Sequence, residues 1–272
     1  MLEVKKICQQ LDFEPSKSKG QNFLFNDKIL DKIIEAADLK LNDTILEIGP
    51  GFGVLTEALA QKVKRVVAVE LDKKLASFLS KKFSQNKKIE IVQADILKIK
   101  NLEANFKNCG YKLVANLPYN ITGIVLRKFL SEKPKPSTAV LMIQKEVAQR
   151  VLAKNGKHSI ISLMVAFYGQ PEIVCYVSKN NFWPRPKVDS AVLRITQINE
   201  GKENGLTRAN EKKFFQLIKT GFASPRKQLI VNLKKIKNRQ ELEKIFKKID
   251  LDLKVRAEDL SLAKWLEICY NI

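Results

Sequence analysis

The chain has 272 residues, and 49 Lys+Arg against 29 Asp+Glu give it a formal net charge of +20, a balance that favours a polyanionic partner held in a salt-sensitive way. Its one histidine, His158, stands far in sequence from any candidate nucleophile, and Cys8, Cys109, Cys175 and Cys269 form no Cys-x-x-Cys pair, which argues against Ser-His or Cys-His catalysis, a structural zinc and a disulfide framework. No apolar stretch approaches a transmembrane span and residues 1–6 lack the apolar segment of a signal peptide, so a soluble, cytoplasmic protein is expected, with no metal and no membrane partner. The length allows one large α/β domain and a small second one.

An N-terminal arm leads to a helix beginning near Asp27. The run at 43–48 reads as a short buried strand that feeds Gly49-Pro50-Gly51-Phe52-Gly53 and then the helical pattern at 54–59. Further apolar runs follow at 65–69, ending on Glu70, at 89–94, ending on Asp95, and at 111–115, ending on Asn116. This strand-helix alternation continues to about residue 152 and predicts a mainly parallel sheet. Two more strands are expected at 172–177 and 188–195. The proline-rich loop between them, with Phe182-Trp183-Pro184-Arg185-Pro186, is too short for a crossover helix, so they should form an antiparallel edge pair.

Gly201-Lys202-Glu203-Asn204-Gly205 reads as a linker. It divides a domain of residues 1–200 from one of residues 206–272. In the latter, apolar positions such as Phe214, Leu217, Ile218, Leu242, Phe246, Trp265 and Ile268 recur at helical spacing, and Ser261 is placed to cap the last helix. Residues 201–272 carry 17 basic and 9 acidic side chains, and Lys17 and Lys19 add charge to the arm. The aromatics Phe182, Trp183, Phe214, Phe215 and Phe222 are candidates to stack on bases, although the spacing of Phe214 and Phe215 fits a helical core better.

The chemistry gathers where the strands end. A strand, a glycine-rich turn and a helix N-terminus make a ligand cradle. Here the glycines fall at alternate positions and Val54 stands where a Gly-x-Gly-x-x-Gly dinucleotide fingerprint would continue, which weakens a dehydrogenase reading. Glu70 is placed to accept from two ribose hydroxyls and Asp95 to meet an adenine amine, since ligands of open α/β sheets sit beyond the carboxyl ends of the strands. Asn116-Leu117-Pro118-Tyr119 supplies what methylation of an amino group on a base requires. The lone pair of an exocyclic adenine amine is delocalised into the ring. An Asn side-chain oxygen, with a backbone carbonyl at Leu117, can accept both amine hydrogens and free that lone pair for an electrophilic methyl group. Pro118 fixes the turn and Tyr119 offers a flat face for the base. The plain alternative is an ordinary strand-turn-helix corner. Three strand ends bearing Glu70, Asp95 and Asn116 after a glycine turn favour the functional reading.

Glu47-Ile48-Gly49-Pro50-Gly51-Phe52-Gly53, Asn116-Leu117-Pro118-Tyr119-Asn120 and Gln21-Asn22-Phe23-Leu24 resemble the signature segments of the S-adenosylmethionine-dependent rRNA adenine N6-dimethyltransferases. The resemblance runs through the segments at 144–150 and 182–192 into Arg226-Lys227-Gln228-Leu229, and so covers nearly the whole chain. It implies a Rossmann-like methyltransferase sheet with a small C-terminal helical domain that docks RNA. It also implies S-adenosyl-L-methionine as cofactor and dimethylation of two adjacent adenosines near the 3′ end of 16S rRNA by a monomer, during small-subunit assembly. Matched residue by residue, Gln21, Asn22 and Leu24 are implied at the methionine end of the cofactor, with Gly49 and Gly51 in the loop beneath it. Glu70 is implied at the ribose, Asp95 at the adenine amine, and Asn116 between cofactor and target. Tyr119 and Phe182 would stack the target base.

His158-Ser159-Ile160 and Pro225-Arg226-Lys227 depart from the family's common Tyr-Gly-Arg and Arg-Arg-Lys; neither touches the methyl-transfer site. A large-subunit rRNA adenine methylase of the resistance type remains a rival, and so does a non-catalytic ribosome-assembly factor. Intact Glu70, Asp95, Asn116 and Tyr119 argue against the second.

Overall fold

The computed structural model describes residues 2–16, 20–99, 106, 110–198 and 208–272; the linker expected at 201–205, Lys17, Lys19 and Cys109 lie outside the described residues. By its contacts the chain divides into two compact units, residues 1–148 with 170–198, and residues 149–169 with 199–272.

The first unit opens with α1 (Leu2–Gln10) and the short β1 (Phe23–Leu24). Helix α2 (Asp27–Ala36) starts where the sequence indicated, because the Asn26 side chain accepts from the Lys28 amide and so satisfies one of the orphan donors of the first turn. Then come β2 (Thr44–Ile48), α3 (Val54–Lys62), β3 (Arg65–Glu70), α4 (Lys73–Lys82) and β4 (Ile89–Gln93). After the segment around 100–109 follow β5 (Lys112–Asn116), α5 (Thr122–Ser131), β6 (Thr138–Gln144) and the start of α6 (Lys145–Val151). The strands β7 (Gln170–Val177), β8 (Phe182–Trp183) and β9 (Ser190–Thr196) complete it.

Seven strands form one sheet in the order β4-β3-β2-β5-β6-β9-β7. From β4 to β6 the neighbours are parallel, whereas β9 runs antiparallel to both β6 and β7, which gives the expected antiparallel pair at the edge. All residues of β2 are buried, as in the Val- and Ile-rich strands of sheets covered on both faces. The order of the strands reverses between β2 and β5, and a crevice opens outside their carboxyl ends at such a point. Ile33, Leu55 and Leu59 of the helices pack on Val66, Val114 and Val140 of the sheet. A second cluster joins Val4 and Cys8 of α1 to Phe13, Phe23, Phe52 and Leu75. The Phe23 and Phe52 rings lie 4.3 Å apart, and each ring buried this way contributes about 1.5–3 kcal/mol. The N-terminal arm is thereby fastened to the glycine turn.

The second unit is helical, with α7 (Ile160–Tyr168), α8 (Arg208–Gly221), α9 (Leu229–Leu233), α10 (Arg239–Lys248) and α11 (Leu262–Asn271). The contacts draw its limits differently from a single cut at 201–205, because α7 precedes the last strands of the sheet in sequence yet belongs here. Phe167 at the end of α7 stacks on the fully buried Phe214, with ring centroids 5.2 Å apart, so Phe214 is a core residue. At the other end of α7, where the chain departs from the family pattern, Ser159 and Ser162 cap each other's backbone in a capping box. Trp265 is buried against Gly221, where a Cβ would come within 2.3 Å of the indole. Ser261 accepts from the Lys264 amide and caps α11 as expected. Among the described residues no helix is long and apolar enough to cross a membrane.

Candidate active site

A cavity of about 340 Å³ lies beyond the carboxyl ends of β2, β3, β4 and β5. Of the eleven residues singled out in the sequence, ten line it. Gln21, Asn22 and Leu24 reach it from the arm, Gly49 and Gly51 from the turn after β2, and Glu70 and Asp95 from the ends of the next two repeats. Asn116, Leu117 and Tyr119 approach from the end of β5.

The turn after β2 is built for close approach. Gly49 donates to the Val69 carbonyl at 3.0 Å and adopts a φ of +68°, with nothing closer than 3.8 Å to the place a Cβ would take. That leaves backbone open to the cavity in a conformation that favours glycine. At Gly51, with φ of +59°, an added Cβ would meet the Phe23 ring at 2.9 Å.

Glu70 is 5% exposed at the end of β3. One carboxylate oxygen accepts from the Asp72 amide at 2.8 Å and the other from the Gly51 amide at 3.3 Å. Burial pushes this carboxyl upward, and the backbone donors at Asp72 and Gly51 oppose it. A carboxylate has about four lone-pair sites, so acceptor capacity remains for a ligand beside these backbone donors. Asp95 is half-buried, with one oxygen accepting from the Leu97 amide at 3.0 Å to shape the turn beneath it. Gln21 accepts from the Ser16 amide at 2.8 Å and Asn22 donates to the Gly20 carbonyl at 3.1 Å, bonds that hold the arm in place.

Asn116 donates its amide hydrogen to the Asn22 carbonyl at 3.1 Å. The amide nitrogen is thereby committed to the arm, which fixes the rotamer and leaves Oδ1 as the acceptor. The Tyr119 hydroxyl bonds the Ser190 hydroxyl at 2.8 Å.

Phe182 is the exception. Its strand, β8, pairs with β1 so that Phe182 stands opposite Leu24, and its ring is 3% exposed within the main core cluster. It does not line the cavity.

Glu47 is a cavity residue that strand reasoning missed. A carboxylate in the middle of an apolar strand was the available signal. It is 1% exposed, and its Oε2 has no hydrogen-bond partner. Burial pushes its carboxyl from 4.5 to about 8, offset only in part by the Thr56 hydroxyl beside it, while the nearby Glu70 adds to the rise. A pKa higher in the folded than in the unfolded chain means that the folded state holds the proton more tightly. The contribution of Glu47 to the stability of the ligand-free protein therefore falls as pH rises from 4.5 to about 8. Glu47→Gln should remove this part of the slope. Chemical denaturation across that range checks it, and equal slopes for the two proteins would contradict it.

The lining fits S-adenosylmethionine. Spare acceptor capacity on Glu70 suits ribose hydroxyls, and the left-handed Gly49 leaves room for close approach of a ligand. The cavity also holds an oriented amide acceptor and a flat aromatic ring on one turn, a combination suited to an amino group on a planar base.

Comparison with known proteins agrees with this geometry. The family model described as ribosomal RNA adenine dimethylase matches residues 13–272. A ribosomal RNA small subunit methyltransferase A of Dehalococcoides mccartyi is 40% identical over 275 residues, covering 99% of this chain and 92% of the relative. A protein of the same name from Fusobacterium nucleatum is 38% identical over 95% of this chain and 97% of its own length. Among solved structures, a dimethyladenosine transferase from Plasmodium falciparum superposes with a TM-score of 0.78 at 27% identity, covering 90% of this chain and 95% of that one. The 23S rRNA methyltransferase ErmE gives a TM-score of 0.74, also at 27% identity, over 92% of this chain and 98% of that one.

Proposed function

The chain belongs to the ribosomal RNA adenine dimethylase family, and on that premise we propose that it dimethylates the N6 amines of two adjacent adenosines near the 3′ end of 16S rRNA. It is an S-adenosylmethionine-dependent rRNA methyltransferase. The observation that carries the adenine reading is the Asn116 amide, held by the Asn22 carbonyl with its oxygen left to accept, on the same turn as Tyr119. Small-subunit relatives at 40% identity over 99% of the chain favour that RNA over the large-subunit one, for which the ErmE likeness stands at 27%.

When bound, S-adenosylmethionine supplies an electrophilic methyl group on a sulfonium, so no strong general base is needed before transfer. In this reading Gln21, Asn22 and Leu24, with Gly49 and Gly51 beneath, hold the methionine end. Glu70 accepts from the ribose hydroxyls and Asp95 meets the adenine amine. Asn116 Oδ1 and the main chain at Leu117 accept the two hydrogens of the target amine, which turns its lone pair toward the methyl group. Tyr119 forms one wall for the base, and Phe182 serves as the second wall only if its ring leaves the core cluster. The adenosine enters unpaired or flipped, because its amine is engaged in a duplex. The enzyme acts in the cytoplasm as a monomer on an assembling small subunit, and its basic helical unit docks the RNA.

Mapping N6,N6-dimethyladenosine in rRNA from cells with and without the gene tests the assignment. The modified pair should vanish from 16S rRNA in the deletion. Loss confined to 23S rRNA would establish the large-subunit reading, and no change in either would leave an assembly role.

Glu70→Ala should weaken S-adenosylmethionine binding in the absence of RNA, since two hydroxyls lose their shared acceptor. Hydrogen bonds to a charged group contribute about 1.5–3 kcal/mol, so affinity should fall by roughly 10- to 150-fold. Calorimetry showing wild-type affinity in a folded variant would take Glu70 out of the ribose site.

A further inference from the structure

The ring of Tyr119 is held by a residue that the adenine chemistry does not itself require. Tyr119 opens a single turn of 3₁₀ helix at 119–121, directly after Pro118. A tyrosine on a short turn has two side-chain torsions to settle, and neither is fixed by the turn. The Tyr119 hydroxyl meets the Ser190 hydroxyl at 2.8 Å, a contact at the far tip of the ring. A bond there fixes where the ring axis points, and because a phenolic O–H prefers the plane of its ring, it also biases the tilt of the ring about that axis.

Ser190 is well placed to serve as the fixed partner. It is fully buried at the start of β9, with Gln144 of β6 opposite it on one side and Val177 of β7 on the other. The end of the strand is itself tied down. The Asp189 carbonyl accepts from the Lys145 amide at 3.0 Å, and the Asp189 carboxylate accepts from the Lys179 amide at 3.0 Å. Both donors belong to segments that leave the same end of the sheet, after β6 and after β7. Asn116, three residues before Tyr119, is pinned from the other side by the Asn22 carbonyl. Each end of the Asn-Leu-Pro-Tyr turn is thus anchored from outside it, one by the arm and one by β9.

We propose that Ser190 is a positioning residue for methyl transfer, which orients the Tyr119 ring as the wall against which the target adenine stacks. This rests on the rRNA adenine reading given above. Burial pushes the Tyr119 phenol upward, more than the Ser190 bond lowers it, so the group stays protonated at neutral pH and acts through its ring rather than as a base. The competing explanation is that a small residue is needed where β9 begins between β6 and β7. Alanine separates the two, because it keeps the size and removes only the hydroxyl.

The test compares wild type, Ser190→Ala, Tyr119→Phe and the double variant in single-turnover transfer to 16S rRNA at saturating cofactor and RNA. Either single change should slow transfer by about 10-fold, less than the hundredfold that a 1 Å misplacement can cost. The double variant should be no slower than either, since both delete one bond. Cofactor affinity by calorimetry should stay at the wild-type value, as should the melting temperature to within a few degrees. With 2-aminopurine replacing the target adenine, wild type should quench its fluorescence by stacking and Ser190→Ala should quench it less. Wild-type rates in Ser190→Ala and Tyr119→Phe, with wild type active, would overturn the positioning role alone. Additive losses would overturn it too, by showing that the two hydroxyls act separately. An inactive wild type would instead sink the rRNA reading.

Discussion

Asn116→Ala is expected to lower the single-turnover rate of methyl transfer by about 10²–10³-fold at saturating cofactor and RNA, the effect of removing one preorganised hydrogen-bonding group from a reacting centre. The reason is differential. In the proposed role, Oδ1 of Asn116 accepts most strongly as the amine changes geometry on its way to four bonds, so its loss should raise the barrier more than it weakens binding of the RNA. Its nitrogen also braces the Asn22 carbonyl at 3.1 Å, and Asn22 lines the cavity, so a modest fall in cofactor affinity should accompany the slow transfer. RNA affinity should be nearly unchanged. A variant that binds both ligands and transfers at the wild-type rate would remove Asn116 from the reacting centre.

How far the sequence revealed this site depends on what each residue does in the fold. Strands β3, β5 and β6 were legible because each carries an unbroken apolar run, β4 less so because Glu90 interrupts it, and the polar residue after a run marks the carboxyl end of the sheet, where ligands bind. Glu70, Asp95 and Asn116 are therefore grouped by the sequence alone. Helix α7 was not legible for the opposite reason. Six of its nine residues, Ser162 to Tyr168 apart from Ala166, are buried, so no polar face gives a helical period. Phe182 shows a different limit. A motif gives the type of residue and its proposed role, but the pairing of β8 with β1, which puts the ring in the core, depends on contacts across more than 150 residues. The Ser190 bond spans 71 residues and was equally out of reach. Glu47 had a local signal, a carboxylate inside a strand, that strand assignment alone passes over.

Neutralising Arg226, Lys227, Lys234 and Lys235 together should weaken binding of rRNA strongly and flatten its dependence on salt. The four side chains are exposed, and among the described residues none has a salt-bridge partner. Their setting is stiff. Asn232 is buried beneath them and donates to the Gly221 carbonyl at 2.6 Å and the Ser224 carbonyl at 3.1 Å, so the turn that carries Arg226 and Lys227 is held to α9, while Lys234 and Lys235 follow directly from that helix. Charges presented on an ordered turn can meet phosphates without ordering a flexible segment first. Each cation that pairs with a phosphate adds roughly 0.7–0.9 to the log–log salt slope, so neutralising four of them would lower it by about 3. The residues that line the cofactor cavity all lie within 4–121, so the affinity for S-adenosylmethionine should remain near wild type. A merely solvated helix face predicts an unaltered slope and unaltered affinity. Titrating rRNA at several salt concentrations against the quadruple variant separates the two outcomes, and an unchanged slope would move the docking surface away from this cluster.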